Sequence, residues 1–151
     1  AGIVPSAVAA LGRRRLPQRD VPVGYTDPMA KVVAVIGASS NRRRYGNKAV
    51  RAFSHKGFTV VPVTPSEAEV EGLKTYPTVL DVPGAIDMAT FYVRPAIGLQ
   101  VIDQVARKGI GEVWLNPGAG SEELERKAAS LGIRTVAACS ILGIGEDPSR
   151  Y

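Results

Sequence analysis

The segment Lys31-Val-Val-Ala-Val-Ile-Gly37-Ala-Ser-Ser-Asn41-Arg-Arg-Arg44-Tyr-Gly46 narrows the possible folds more than any other stretch of this 151-residue chain. An apolar run fits a strand, a Gly/Ser/Asn turn follows, and a helix-like pattern begins after three arginines. Gly37 permits a tight turn where a Cβ would obstruct the chain or a ligand. A helix N-terminus offers unpaired N–H groups and about half a unit of positive charge, and arginine adds forked, permanently charged donors. The order strand, turn, helix therefore predicts a phosphate seat at the C-terminal edge of a parallel sheet.

The rest of the chain keeps the same alternation. A helix is expected over Tyr45–Lys56, with Ala49, Val50, Ala52 and Phe53 as its apolar stripe and Gly57 as its stop. Strands are expected at Phe58–Val63, Met88–Val93, Glu112–Leu115 and Thr135–Ala138. Between the first two lie a turn-rich connection, Glu67–Thr78, and a short helical turn, Val79–Pro83. Pro95 suits the first turn of a helix that stops at Gly109, because its missing N–H has no partner to lose there. Glu122, Glu123 and Glu125 load the first turn of the next helix, where negative charge is favoured, and Gly132 ends it. Strands so apolar on both faces, separated by helices, predict one α/β domain: a doubly wound, Rossmann-like, five-stranded parallel sheet covered on both sides.

Charge narrows the partners. The formal net charge is +5, of which residues 1–28 carry +2 and residues 29–151 carry +3. Arg42, Arg43 and Arg44 equal that second figure, so the pattern predicts a local anion site and not a nucleic-acid surface spread across a face. No apolar run approaches the ~20 residues of a membrane span. The single cysteine, Cys139, excludes an intramolecular disulfide, and the single histidine, His55, excludes a two-histidine mechanism. The cytoplasm is the expected compartment. Residues 1–28 read as an N-terminal extension with Met29 opening the domain; their arginine-rich, acid-poor composition also suits an organellar leader.

In such a sheet the ligand lies outside the strand C-termini. Four segments converge there: Gly37–Gly46, Val63–Ser66, Val93–Pro95 and Asn116–Gly120. A dinucleotide fingerprint keeps only its first glycine here, and Pro62-Val-Thr64-Pro65 replaces the acidic residue expected after the second strand. An NADP-linked oxidoreductase is therefore the weakest of the readings. Val33–Ala38, Val61-Pro62-Val63-Thr64-Pro65, Gly72-Leu-Lys-Thr-Tyr76-Pro77, Tyr92-Val-Arg-Pro95 and Trp114-Leu-Asn-Pro117-Gly118 instead resemble a family of small stand-alone CoA-binding proteins. That family is similar to the CoA-binding domain of the succinyl-CoA synthetase α subunit, and the likeness covers residues 31–145.

The resemblance implies coenzyme A or an acyl-CoA as ligand. It places Gly37, Ala38, Ser39, Ser40, Asn41 and Arg42 at the phosphates, with Arg43 and Arg44 beside them. Val63, Thr64 and Pro65 would flank the adenine. Val93, Arg94 and Pro95 would lie along the nucleotide and pantetheine, with Asn116, Pro117 and Gly118 completing the edge. Where the family commonly reads Asn-Pro-Lys, this chain reads Thr64-Pro65-Ser66, which leaves Arg42–Arg44 to answer the 3′-phosphate. The main expectation is non-catalytic binding of a small nucleotide ligand, in a homodimer or with a protein partner. The alternative is a CoA-dependent enzyme, using thiol or acyl chemistry at Cys139 or completed as a ligase by a separate subunit. His55 reads as a helix C-terminal residue, Trp114 and Cys139 as packing residues, and Glu67, Glu69 and Glu71 as a solvated connection.

Overall fold

The computed structural model describes residues 30–151; the expectations for residues 1–28 fall outside that range. Five parallel strands make the sheet: β1 (Val32–Ile36), β2 (Thr59–Val63), β5 (Met88–Phe91), β6 (Glu112–Leu115) and β7 (Arg134–Val136), in the order β2-β1-β5-β6-β7. Helix α1 (Tyr45–His55) links β1 to β2, α2 (Pro95–Lys108) links β5 to β6, and α3 (Glu122–Ser130) links β6 to β7. A four-residue helix, α4 (Ser140–Gly143), follows the last strand. The Rossmann-like, doubly wound architecture expected from the alternation is the one observed.

Alternation along β1 explains the two layers. Val33 and Val35 point to one face, where they meet Ala49, Val50 and Phe53 of α1 and Ile141 of α4. Ala34 and Ile36 point to the other, among Ile102 and Val105 of α2 and Leu124 of α3. Successive strand side chains face opposite ways, so a strand lined with apolar residues on both sides has to be sandwiched. Burying each such aliphatic side chain contributes about 1.5–3 kcal/mol.

Several expectations change in detail. Strand β5 stops at Phe91, because the Tyr92 N–H still reaches the Ile36 carbonyl (2.8 Å) but Arg94 is already the N-cap of α2. Strand β7 ends at Val136, so Cys139 does not close a strand; it is the N-cap of α4. The connection Glu67–Thr78 holds a hairpin, β3 (Glu69–Val70) paired antiparallel with β4 (Leu73–Lys74). Its two central residues, Glu71 (φ 50°) and Gly72 (φ 77°), both take the left-handed conformation that two-residue hairpin turns require. The short turn expected over Val79–Pro83 is a 3₁₀ helix, Val79–Asp81, capped reciprocally by Thr78 and Asp81.

Candidate functional site

The chain first builds outward from β1 to β2, then returns to place β5 on the other side of β1. Strand order reverses between β1 and β5, and the segments leaving those two strands diverge there into a crevice. Two glycines shape its floor. Gly37 has φ 90°, and a Cβ on it would lie 2.7 Å from the Tyr92 carbonyl oxygen. A Cβ on Gly46 would overlap the Gly37 carbonyl oxygen, so the first turn of α1 rests directly on the loop it follows. The result is a cleft of about 400 Å³ between Gly37, Arg44, Tyr45 and Gly46 on one side and Val93, Arg94 and Gly118 on the other.

Helix termini set the electrostatics of this edge. Neither Arg44, the N-cap of α1, nor Arg94, the N-cap of α2, makes a side-chain cap, and neither first turn carries an acidic residue. Helix α3 is the opposite: Ser121 caps it by accepting from the Leu124 N–H (3.1 Å), and Glu122, Glu123 and Glu125 fill its first turn. The positive ends of α1 and α2 thus carry no carboxylate in their own first turns, while that of α3 is neutralised from within.

The expected site residues separate into groups. Gly37, Arg44, Val93, Arg94, Pro117 and Gly118 line the main cleft. Ser39 and Asn41 shape the turn: the Asn41 N–H donates to Ser39 Oγ and the Arg43 N–H to Asn41 Oδ1, both at 3.0 Å. Ala38 is buried in the α1-side core. Arg42 turns away from the cleft to Glu71, 3.2 Å from its carboxylate, while Arg43 is exposed. Val63 packs into the α2-side core, which leaves backbone, Thr64 and the exposed Pro65 to meet any base at that end. Thr64 is itself buried, its hydroxyl 3.1 Å from Ser66 Oγ. Pro95 is the first residue of α2.

Asn116 works beneath the surface. Its Nδ2 donates to Thr90 Oγ1 (2.7 Å) and to the Phe91 carbonyl (2.9 Å), while its Oδ1 accepts from the Ser140 N–H (2.8 Å). Ser140 Oγ lies 2.7 Å from Thr90 Oγ1 and 3.0 Å from the Tyr92 hydroxyl. This buried network ties β5, β6 and α4 together, and all its members have partners, as buried polar groups must. Burial pushes the Tyr92 phenol up to about 12, so it serves as a neutral hydrogen-bonding wall. Thr90 and Ser140 carried no signal in the sequence; each is an isolated hydroxyl whose partner lies 50 residues away.

Cys139 is half-buried and lines a second cleft, about 350 Å³ and largely apolar, with Tyr45, Tyr92, Leu142 and Pro148. The Trp114 ring packs against the α1-side core and over Gly143, where a Cβ would lie 2.6 Å from the ring. His55 is the exposed last residue of α1, as expected.

The acidic connection corrects the sequence reading. Glu67 and Glu71 are not simply solvated: Glu67 Oε2 accepts from the Ser40 N–H (3.0 Å), and Glu71 accepts from Arg42 Nη2 (3.2 Å) and Asn47 Nδ2 (3.0 Å). Hydrogen bonding from Ser40, side chain and then N–H, holds the Glu67 carboxyl below its ordinary range. The Asn47 amide, ahead of the Arg42 guanidinium, does the same for Glu71 against the opposing effect of burial. Asn47, fully buried, also donates to the Ser39 carbonyl (2.8 Å) and accepts from Arg51 Nε (2.7 Å). The sequence signal for it was a polar residue just inside an amphipathic helix, in a position solvent alone does not explain.

Fold and cleft together define a Rossmann-like domain with an open crevice at its strand-order reversal. The chain belongs to the CoA binding domain family, whose model matches residues 31–145. It is similar to an ADP-forming acetate–CoA ligase of Archaeoglobus fulgidus, 37% identical over 100 residues, 65% of this chain and 15% of that protein. The α subunit of an ADP-forming acetate–CoA ligase of Pyrococcus furiosus is 33% identical over 97 residues, 63% of this chain and 21% of that subunit. Among solved structures, a conserved hypothetical protein from Pyrococcus furiosus superposes with a TM-score of 0.69 at 36% identity, covering 76% of this chain and 99% of that one. The chain thus spans about a fifth or less of these two curated relatives but nearly all of the small structural neighbour. No helix among the described residues is long and apolar enough to cross a membrane.

Proposed function

We propose that this domain binds coenzyme A or an acyl-CoA in the cleft between the β1 and β5 loops and does no chemistry of its own. The observation that carries the reading is the pair of uncapped, acid-free helix N-termini, α1 and α2, aimed with Arg44 and Arg94 at one crevice of a CoA-binding-family fold. Phosphates would sit at the Gly37–Arg44 turn and the adenine against Thr64 and Pro65. The pantetheine arm would run past Val93–Pro95 and Pro117-Gly118. Each charge-assisted hydrogen bond made there contributes about 1.5–3 kcal/mol. A domain of this size matching 99% of a solved chain supports a free-standing binding module, for which we propose a cytoplasmic setting.

Calorimetric titration with CoA, dephospho-CoA and NADP tests the ligand. CoA should bind far more tightly than NADP; equal affinities would overturn the assignment. Weaker binding of dephospho-CoA is expected if the arginine turn reads the 3′-phosphate. A second reading, a ligase subunit awaiting a partner, is favoured by the identity of the curated relatives as ADP-forming CoA ligases. It expects acyl-CoA formation from acid, ATP and CoA only when an ATP-binding subunit is added. Thiol chemistry at Cys139 would instead show turnover by this chain alone that Cys139→Ser abolishes while CoA binding survives.

A further inference from the structure

The turn expected to hold phosphate already holds a carboxylate. Glu67, two residues before β3, reaches across to the Ser40 N–H at 3.0 Å. The neighbouring N–H groups of Asn41 and Arg43 are spent inside the turn, on Ser39 Oγ and Asn41 Oδ1. Ser40 therefore supplies a turn N–H that goes to an ionised acceptor from outside the turn. At the hairpin tip, Glu71 repeats the pattern, on Arg42 and Asn47.

The hairpin is built to deliver both groups. The Thr75 hydroxyl donates to the Glu67 carbonyl, and the Thr75 N–H donates to the Ala68 carbonyl (3.2 Å), fixing the base of the loop. Glu71 itself sits at φ 50°, a conformation that L residues other than Asn and Asp seldom take. A glutamate whose only task was solubility would need neither the strain nor the partners. A phosphate oxygen seeks the same donor that Glu67 uses, and two anions cannot share one N–H without strong repulsion.

Resting on the coenzyme reading above, we infer that the Glu67–Thr78 connection is a carboxylate latch on the phosphate turn. Glu67 takes the Ser40 N–H that a ligand phosphate also requires, and phosphate binding displaces it. Glu71 meanwhile keeps Arg42 docked to the hairpin, away from the cleft, so displacement of the hairpin also frees that guanidinium. Ligand affinity is then set partly by a competitor within the same chain, whose occupancy lowers the fraction of protein competent to bind. The lowered titration range of Glu67 is consistent with a carboxylate that stays ionised in this contact.

Three variants separate the latch from general electrostatics. Glu67→Gln weakens the acceptor, Glu67→Ala removes it, and Glu69→Gln takes the same charge from the same connection at an exposed residue with no hydrogen bond to the turn among the described residues. CoA and inorganic pyrophosphate are titrated against each, with thermal unfolding to establish that all are folded. The latch expects Glu67→Gln to bind CoA at least about fivefold more tightly than the parent, Glu67→Ala more tightly still, and Glu69→Gln to stay within about twofold. Equal gains for Glu67→Gln and Glu69→Gln would reduce the effect to bulk charge and overturn the latch. Weaker binding by both Glu67 variants would make the hairpin a support of the site, which also overturns it. Failure of CoA on every protein, with pyrophosphate still tighter on the Glu67 variants, would remove the coenzyme reading and leave the latch standing. No binding of either probe to any of them would remove both.

Discussion

Gly37 shows how much a single position decides. Its φ of 90° and the 2.7 Å approach to the Tyr92 carbonyl leave no room for a side chain. Gly37→Ala is expected to destabilise the fold by about 1–3 kcal/mol, read as a lower urea midpoint, and to weaken ligand binding further because the turn itself shifts. An unchanged midpoint would mean that the loop relaxes without cost. Asn116 makes the converse case. Asn116→Ala strands the buried Ser140 N–H and breaks two further bonds, so a loss of about 1–3 kcal/mol is expected. Stability within ~0.5 kcal/mol of the parent, the range of an ordinary surface change, would show that water replaces the amide. The glycine was legible because turn chemistry is local. The amide was marked for the C-terminal edge of the sheet, where it follows β6, but its bonds to Thr90 and Ser140 depend on residues 26 and 24 positions away, which spacing does not reveal.

Elements were legible in proportion to their length. An apolar strand or a helix carries its periodicity over several residues, so β1, α1, α2, β6 and α3 fall where the pattern puts them. The β3–β4 hairpin has two residues per strand, too few for alternation to register. Its signal was the Glu71-Gly72 pair, whose second residue suits a tight turn. The hairpin's charges yield a pH prediction. Glu67 and Glu71 both titrate below the ordinary 4.5 in the folded protein. Between the folded and unfolded values the unfolded chain binds more protons, so stability rises with pH there. Their contribution is fully present above the unfolded value and is lost as pH falls through the folded ones. Urea midpoints measured between about pH 6 and pH 3 should fall on the acid side, and the Glu67→Gln, Glu71→Gln double variant should flatten that part of the profile. An identical acid limb in the double variant would place the sensitivity in other carboxylates.

At the scale of the whole domain, one topological event makes the crevice. The sheet grows to one side, reverses, and leaves a crevice between β1 and β5 that no single element could create. Alternating strand and helix patterns gave the fold class directly, since strands apolar on both faces demand helices on both. The sequence did not show how the acidic connection folds back on the arginine turn, because a charge run reads as solvated until its partner is brought to it. We propose that the anion seat lies at this reversal. Amide chemical shifts followed by NMR during a CoA titration test it most directly. Perturbations are expected to concentrate in residues 37–46, 92–95 and 117–119 and to leave the acid-filled start of α3 and the far end of α1 near His55 unmoved. Saturable shifts confined to those two regions, or none at millimolar CoA, would overturn this placement.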